Sequence, residues 1–169
     1  MEIPDIAVFL PYFENVRGRT ERVIACIPSA QIEWRPRPGA FSFGDLIRHL
    51  GAIERYMFAE NVQGRPSRYP GHGSELADGW EDVNAFLRRM HEESVAIFSS
   101  LTPDALERAC TTPGGARLPV WKWLRAMVEH EVHHRGQIYV MLGMLGVSTP
   151  PLFGLTSEEV RARSEILVS

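Results

Sequence analysis

The strongest constraint on this chain is a hydrophobic pattern of helical period that recurs in four long stretches, separated by segments rich in proline and glycine. The stretches cover about residues 4–27, 42–63, 78–101 and 119–145. Within each of them apolar residues recur every three or four positions, which is typical of amphipathic helices that bury one face. The pattern therefore predicts an all-α fold, a four-helix bundle.

Smaller elements are expected between and after these helices. Ser42, with Asp45 three residues later, predicts the start of the second helix. Residues 64–78 are expected to form an ordered loop without regular structure. A Pro-Gly-Gly turn between short threonine-containing flanks suggests a small hairpin over residues 109–118. A short C-terminal helix is expected over about residues 157–167.

Length and composition favour one soluble domain. The chain has 169 residues, of which 44% are hydrophobic and 23% charged, so we expect a single domain over residues 1–169 rather than a disordered chain. The formal net charge of −3 provides no basic surface for phosphate backbones, and nucleic acid is not an expected partner.

Cysteine use and the absence of apolar runs suggest a cytoplasmic protein. Cys26 and Cys110 lie far apart with no CxxC pair, so reduced thiols are expected rather than a disulfide framework or a thiolate zinc site. The first ten residues do not resemble a signal peptide. No uncharged apolar run approaches the roughly 20 residues of a membrane span.

Three of the six histidines fall in the segment HEVHH. Residues four apart on a helix project to the same side, so His130 and His134 form a candidate bidentate metal clamp, whereas His133 points away from it. Both rings lie on the flank of the helix's apolar face and are directed towards a neighbouring helix. His49, in the middle of the second helix, is the natural candidate for a third ligand.

Two other metal motifs compete for these residues. His130 to His134 satisfies HExxH, in which a zinc peptidase uses two histidines as ligands and the glutamate, here Glu131, as general base. Its third ligand would be Glu158 or Glu159. A ferritin-like dinuclear centre needs two Glu-x-x-His motifs, and only Glu131-x-x-His134 has that spacing, so such a centre is not expected.

The remaining candidates are predicted to be structural. Glu131 lies near the centre of the apolar face of the fourth helix, where a lone carboxylate is costly. It is expected to orient a ligand imidazole, to act as a base, or to pair with an arginine such as Arg48 or Arg135, and we favour the first and the third role. His72 and His91 are expected on the solvated surface. The residues expected in the core rather than around a substrate are Met127, Met141, Met144 and Trp123.

Two segments together resemble a known family. FSFGDLIRHLGAIERYM (residues 41–57) and HEVHHRGQIYVMLGMLG (residues 130–146), with the Trp34-Arg35-Pro36 loop before the second helix, are similar to the DinB/YfiT-like superfamily. The resemblance extends over nearly the whole chain.

The resemblance implies a four-helix bundle with long crossing connections and one divalent metal ion held by His49, His130 and His134. Zinc, nickel, manganese and iron all accept imidazole, so the identity of the metal stays open. Several members of the superfamily are transferases or isomerases that use low-molecular-weight thiols, which implies a possible thiol cosubstrate here. The resemblance also suggests a homodimer.

Three functions therefore remain. The first is a metal-dependent enzyme acting on a small-molecule substrate, of the thiol-dependent transferase or hydrolase type. The alternative is a non-catalytic metal-binding or interaction protein, and the third is a zinc peptidase of the HExxH kind.

Overall fold

The computed structural model describes residues 2–166 and contains four long helices, as the periodicity predicts. In chain order the elements are α1 (Ile6–Ile24), a 3-10 turn (Ser29–Gln31), α2 (Phe43–Ile53), a π-helical turn (Glu54–Phe58), α3 (Ala59–Val62), α4 (Gly79–Phe98), α5 (Pro103–Glu107), β1 (Ala109–Thr111), β2 (Arg117–Pro119), α6 (Val120–Met144) and α7 (Ser157–Ile166). The predicted all-α bundle is confirmed.

α2 begins after Ser42, as the sequence predicts. Ser42 Oγ accepts a hydrogen bond from the backbone N–H of Asp45 at 3.0 Å, and the Asp45 carboxylate accepts one from the backbone N–H of Ser42 at 2.9 Å. These reciprocal bonds satisfy backbone donors that the first turn of a helix leaves unpaired. They fix where α2 begins, and with it the position of His49 two turns further on.

The smaller elements are mostly as expected. β1 and β2 pair antiparallel as the predicted hairpin, and α7 is the predicted C-terminal helix. Leu167, the expected end of that helix, lies outside the described residues. The sequence did not predict α5 or the π-helical turn that joins α2 to α3. Among residues 2–166 no helix is long and apolar enough to cross a membrane.

The helices pack in two main pairs, α2 against α4 and α1 against α6. Apolar side chains form two large clusters, one towards each end of the bundle. Between the clusters lies a layer of buried polar side chains from α1, the π-helical turn, α4 and α6: Arg17, Thr20, Glu54, His91, Ser94, Glu131 and Arg135. The predicted core residues Met127 and Met141 are buried, but Met144 is 59% exposed, because it lies on the same exposed side of α6 as Val140.

Candidate metal centre

Three imidazole rings from two helices meet at one side of this polar layer. His49 comes from α2, and His130 and His134 come from successive turns of α6. The Nε2 atom of His130 lies 3.0 Å from Nε2 of His49 and 3.1 Å from Nε2 of His134. The three candidate ligand atoms all lie within 4.8 Å of one another. The structure therefore brings together the three histidines that the sequence singled out.

The spacing of these nitrogens fits a single divalent ion. At a metal–nitrogen bond length of about 2.1 Å, two ligand atoms lie at most about 4.2 Å apart, and about 3.0 Å apart when the two bonds are perpendicular. The separations of 3.0 and 3.1 Å match the second value. A site with three imidazole ligands also leaves coordination positions open, as catalytic zinc sites do.

Hydrogen bonds on the far side of two rings hold their orientation. Nδ1 of His134 lies 2.7 Å from Oε1 of Gln137. Because an amide oxygen only accepts, this contact places the proton of a neutral His134 on Nδ1 and leaves a lone pair on Nε2. Nδ1 of His49 lies 2.7 Å from the Tyr69 hydroxyl, which can accept in the same way. Contacts of this kind orient metal-binding histidines and fix their tautomer.

The rings are also held in the protonation state that binds metal. Burial, together with the neighbouring His134 and His72, lowers the pKa of His49 to about 4. Burial, together with the same cluster of rings, lowers the pKa of His130 to about 3. For His134 burial lowers the pKa, although the Gln137 contact opposes the effect. All three are therefore neutral at pH 7, and a metal ion displaces no proton from the ligand nitrogens.

The loop between α3 and α4 supplies Tyr69 and His72. Buried Arg48 anchors this loop to α2, since its guanidinium donates to the backbone carbonyls of His72 at 2.8 Å and Ala77 at 3.0 Å. The prediction that His72 is a solvated surface residue was wrong. Its ring lies 3.1 Å, through Nδ1, from the Tyr69 hydroxyl and packs on Phe41 with ring centroids 4.2 Å apart.

The sequence profile of the DinB superfamily matches residues 12–138 of the chain. This chain belongs to the DinB superfamily. The match includes α2 and most of α6, the two helices that carry the histidine cluster, and it confirms the resemblance noted from the sequence.

Several solved structures and one protein sequence are similar to this DinB-superfamily chain. YjoA of Bacillus subtilis, an uncharacterized protein, is 24% identical over 145 residues, which cover 84% of this chain and 92% of YjoA. The crystal structure of YjoA, described as DinB-like, gives a TM-score of 0.63 and covers 80% of this chain and 90% of that chain at 23% identity.

Two other solved structures share the fold at lower identity. YfiT from Bacillus subtilis, described as a probable metal-dependent hydrolase with an unusual four-helix bundle topology, gives a TM-score of 0.65 at 16% identity and covers 88% of this chain and 91% of that chain. A mutant of the mycothiol-dependent maleylpyruvate isomerase gives 0.55 at 18% identity and covers 81% of this chain and 60% of that chain.

Behind the histidine cluster of this DinB-superfamily chain, Glu131 takes part in a buried charge network. One Glu131 oxygen accepts from the Thr20 hydroxyl at 2.6 Å, and the other lies 3.1 Å from NH2 of Arg17. Arg17 also pairs with Glu54 in the π-helical turn. The predicted pairing of Glu131 with Arg48 or Arg135 was therefore wrong, because the rotation of α6 turns the carboxylate towards α1.

This placement also bears on the competing HExxH interpretation. Both oxygens of Glu131 are engaged inside the core, and the residue is 2% exposed, so the carboxylate does not face a metal-bound substrate. Glu158 and Glu159, the proposed third ligands of a peptidase, lie in α7 and are not part of the cluster. The geometry argues against a peptidase.

His91 is the clearest departure from the sequence prediction. It was expected on the solvated surface, but it is 9% exposed, with Nδ1 2.9 Å from Glu54 and Nε2 3.2 Å from Glu14. Burial lowers the pKa of His91, but the hydrogen bond and the charge of Glu54 outweigh it, and the net shift is upward. The two adjacent glutamates Glu92 and Glu93 suggested a solvated face, whereas the partners of His91 lie on α1 and in the π-helical turn.

His133 has the position expected of it. The residue is exposed, its Nε2 lies 3.2 Å from the amide nitrogen of Gln137, and it is outside the cluster of candidate ligands. Gln137 thus joins His133 to His134. No signal in the sequence indicates the contact of Tyr69 with His49, because no local spacing connects a loop residue to a helix residue twenty positions earlier.

Proposed function

We propose that this protein binds one divalent metal ion through His49, His130 and His134 and uses it as an enzyme on a small molecule. The reaction is of the thiol-dependent transferase or the hydrolase type. The observation that carries the proposal is the convergence of three histidine Nε2 atoms. All three rings are neutral, and hydrogen bonds at Nδ1 fix the orientation of His49 and His134. Zinc, nickel, manganese and iron are the candidate ions.

The residues of the chain have distinct parts in this chemistry. When bound, a divalent ion supplies a Lewis acid that activates water or a thiol near neutral pH. Tyr69 and Gln137 hold two of the ligand rings in place through hydrogen bonds of 2.7 Å. Phe41 packs edge-on against His49, with ring centroids 5.6 Å apart, and covers one side of that ring. The result is a half-buried site with an open side.

Two structural relatives support the choice of reaction types. YfiT is described as a probable metal-dependent hydrolase, and the maleylpyruvate isomerase is mycothiol-dependent. Both have folds similar to that of this chain, and the two descriptions correspond to the two chemistries that an open three-histidine site permits: activation of water and activation of a thiol. A low-molecular-weight thiol is therefore the proposed cosubstrate in the transferase case.

A second candidate is a metal-binding protein without catalytic activity. His49 lies on α2, whereas His130 and His134 lie on α6, so an ion bound by all three would cross-link two helices of the bundle. Binding to the folded state alone stabilises a protein by about 2.7 kcal/mol when the free metal concentration is 100 times Kd. A purely structural role would use that gain and leave the open coordination positions to water.

Metal analysis of tag-free protein tests the site itself. We expect about one equivalent of divalent metal in the wild type and a loss of most of it in His49→Ala. His133→Ala is the matched control, since it removes a neighbouring imidazole that is not in the cluster. Circular dichroism confirms that each variant folds. Equal metal content in the wild type and His49→Ala would refute the ligand assignment.

An activity screen separates the two candidates. Metal-loaded protein is incubated with low-molecular-weight thiols and maleyl-type or epoxide electrophiles, and separately with small ester and amide substrates. Turnover that requires metal and disappears in His49→Ala supports the enzyme. Metal-dependent thermal stabilisation without turnover of any substrate would favour the structural role.

A further inference from the structure

A cleft of about 850 Å³ opens beside the histidine cluster. Its size lies in the range of pockets that bind small organic molecules, about 300–1,000 Å³. One wall is α6 and the other is the loop that precedes α2. The residues that the argument uses are His134, Gly136, Val140 and Met144 on α6, and Arg37 and Phe41 on the loop.

The cleft adjoins the proposed metal site directly. His134, one of the three candidate ligands, lines it. Phe41, on the opposite wall, packs against both His49 and His72, with ring centroids 5.6 and 4.2 Å apart. A molecule lying in the cleft therefore has part of its surface next to the cluster.

The α6 wall of the cleft is apolar and unusually accessible. Val140 and Met144, one turn apart, are 65% and 59% exposed, whereas Met141 and Leu142 between them are buried in the core. Gly136, one turn before Val140, has nothing within 4 Å of the position that a Cβ would occupy. An apolar body can thus lie along this wall and remove both side chains from water, which is favourable by about 25 cal/mol per Å² of apolar surface buried.

A single positive charge marks the other wall. Arg37 is the one Arg, Lys, Asp or Glu among the described residues that line the cleft. No hydrogen bond or ion pair to its guanidinium is found within residues 2–166, whereas nearby Arg35 and Arg48 both pair with Asp45. A guanidinium presents two parallel N–H donors and one positive charge, which match one carboxylate.

We propose that this cleft is the substrate site and that it takes a small molecule with an apolar body and one carboxylate. The carboxylate pairs with Arg37, and the apolar body lies along Val140 and Met144 beside His134. This inference rests on the proposed function, because it assigns the substrate class of the same metal site.

Three probes with one chain length and different head groups test the proposal: octanoate, octanol and octylamine. Their affinities are measured by calorimetry on zinc-loaded and on metal-free protein. We expect octanoate to bind roughly fivefold more tightly than octanol, the size of an exposed ion pair of about 1 kcal/mol, and octylamine to bind most weakly.

Variants of the cleft residues test where octanoate binds. Gly136→Leu fills the cleft and is expected to weaken octanoate binding at least tenfold. Gly143→Leu is the matched control, because Gly143 also lies in α6 with open space around it but does not line the cleft. Both changes replace glycine in a helix and favour folding. Arg37→Gln is expected to abolish the preference for octanoate over octanol, and Arg37→Lys to retain part of it.

Three results would overturn the inference. Unchanged octanoate affinity in Gly136→Leu would place the ligand elsewhere on the protein. A preference for octanoate that persists in Arg37→Gln and vanishes without zinc would show that the carboxylate binds the metal. Zinc binding is measured on the same samples: its absence in the wild type refutes the proposed function, whereas zinc binding without octanoate binding refutes only the cleft assignment.

Discussion

The Tyr69 hydroxyl provides a sharp test of how the candidate metal site is oriented. It lies 2.7 Å from Nδ1 of His49 and 3.1 Å from Nδ1 of His72. Tyr69→Phe removes one oxygen atom and keeps the ring, which packs edge-on against His49 with centroids 5.5 Å apart. The substitution therefore deletes the hydrogen bond and leaves the packing in place.

The expected consequence is weaker metal binding. Loss of an outer contact to a ligand histidine costs about 10- to 100-fold in metal affinity, which corresponds to about 1.4–2.8 kcal/mol. The free energy is lost because the ring of His49 is no longer restrained to the rotamer and tautomer that present a lone pair on Nε2. Competition with a fluorescent zinc chelator at pH 7.5 measures the change.

The control is a tyrosine hydroxyl away from the site. Tyr139 donates to the Pro150 carbonyl at 3.5 Å in an exposed position, so we expect Tyr139→Phe to bind zinc as the wild type does. If Tyr69→Phe also binds zinc within twofold of the wild type while His49→Ala does not bind it, the orienting role is refuted. If both Tyr69→Phe and His49→Ala bind zinc as tightly as the wild type, His49 is not a ligand.

Three further predictions concern the buried charges and the metal. Arg17→Met leaves Glu54 and Glu131 buried without their cation, so urea unfolding is expected to show a loss of about 3–5 kcal/mol, and a loss under 1 kcal/mol would contradict the network. The pKa of His91 is raised in the folded state, so its stabilising contribution is present below pH about 6.5 and is lost as the pH rises through the folded value. The difference in unfolding free energy between wild type and His91→Gln should therefore shrink from pH 5.5 to 9. A difference that grows would mean that the pKa of His91 is lowered, not raised, in the folded state. At a zinc concentration of 100 times the wild-type Kd, His133→Ala should be stabilised as much as the wild type, by about 2.7 kcal/mol in thermal unfolding, and a smaller gain in the variant would make His133 a ligand.

The polar layer explains why the core of this bundle is divided. α1, α4, α6 and the π-helical turn contribute charged or hydroxyl side chains to this layer, and apolar clusters lie on either side of it. Replacing a whole set of such groups with apolar residues is often neutral for stability, whereas removing one partner alone leaves a buried charge uncompensated and is costly. In this chain the layer lies directly behind His130, whose neighbour in sequence, Glu131, is one of its members.

The fold was largely predictable because its determinants are local. Helical period, the Ser42–Asp45 capping pair and the Pro-Gly-Gly turn act over a few residues, and each element appears where the pattern placed it. The same holds for the clamp of His130 and His134, since four residues bring two side chains to one face of any α-helix. The short α5 and the π-helical turn escaped prediction because neither has a comparable period.

The sequence by itself determined the helices and the pair of histidines on α6, because these depend on the geometry of a single helix. Only the tertiary structure decided that Arg17 neutralises Glu131, that His91 is buried against Glu54, and that Tyr69 orients His49. Each of these contacts joins segments far apart in the chain. Which residues meet in these contacts depends on how each helix is rotated about its axis and on where the loop with Tyr69 is anchored. The packing of the whole core sets the rotation of the helices and the position of the loop.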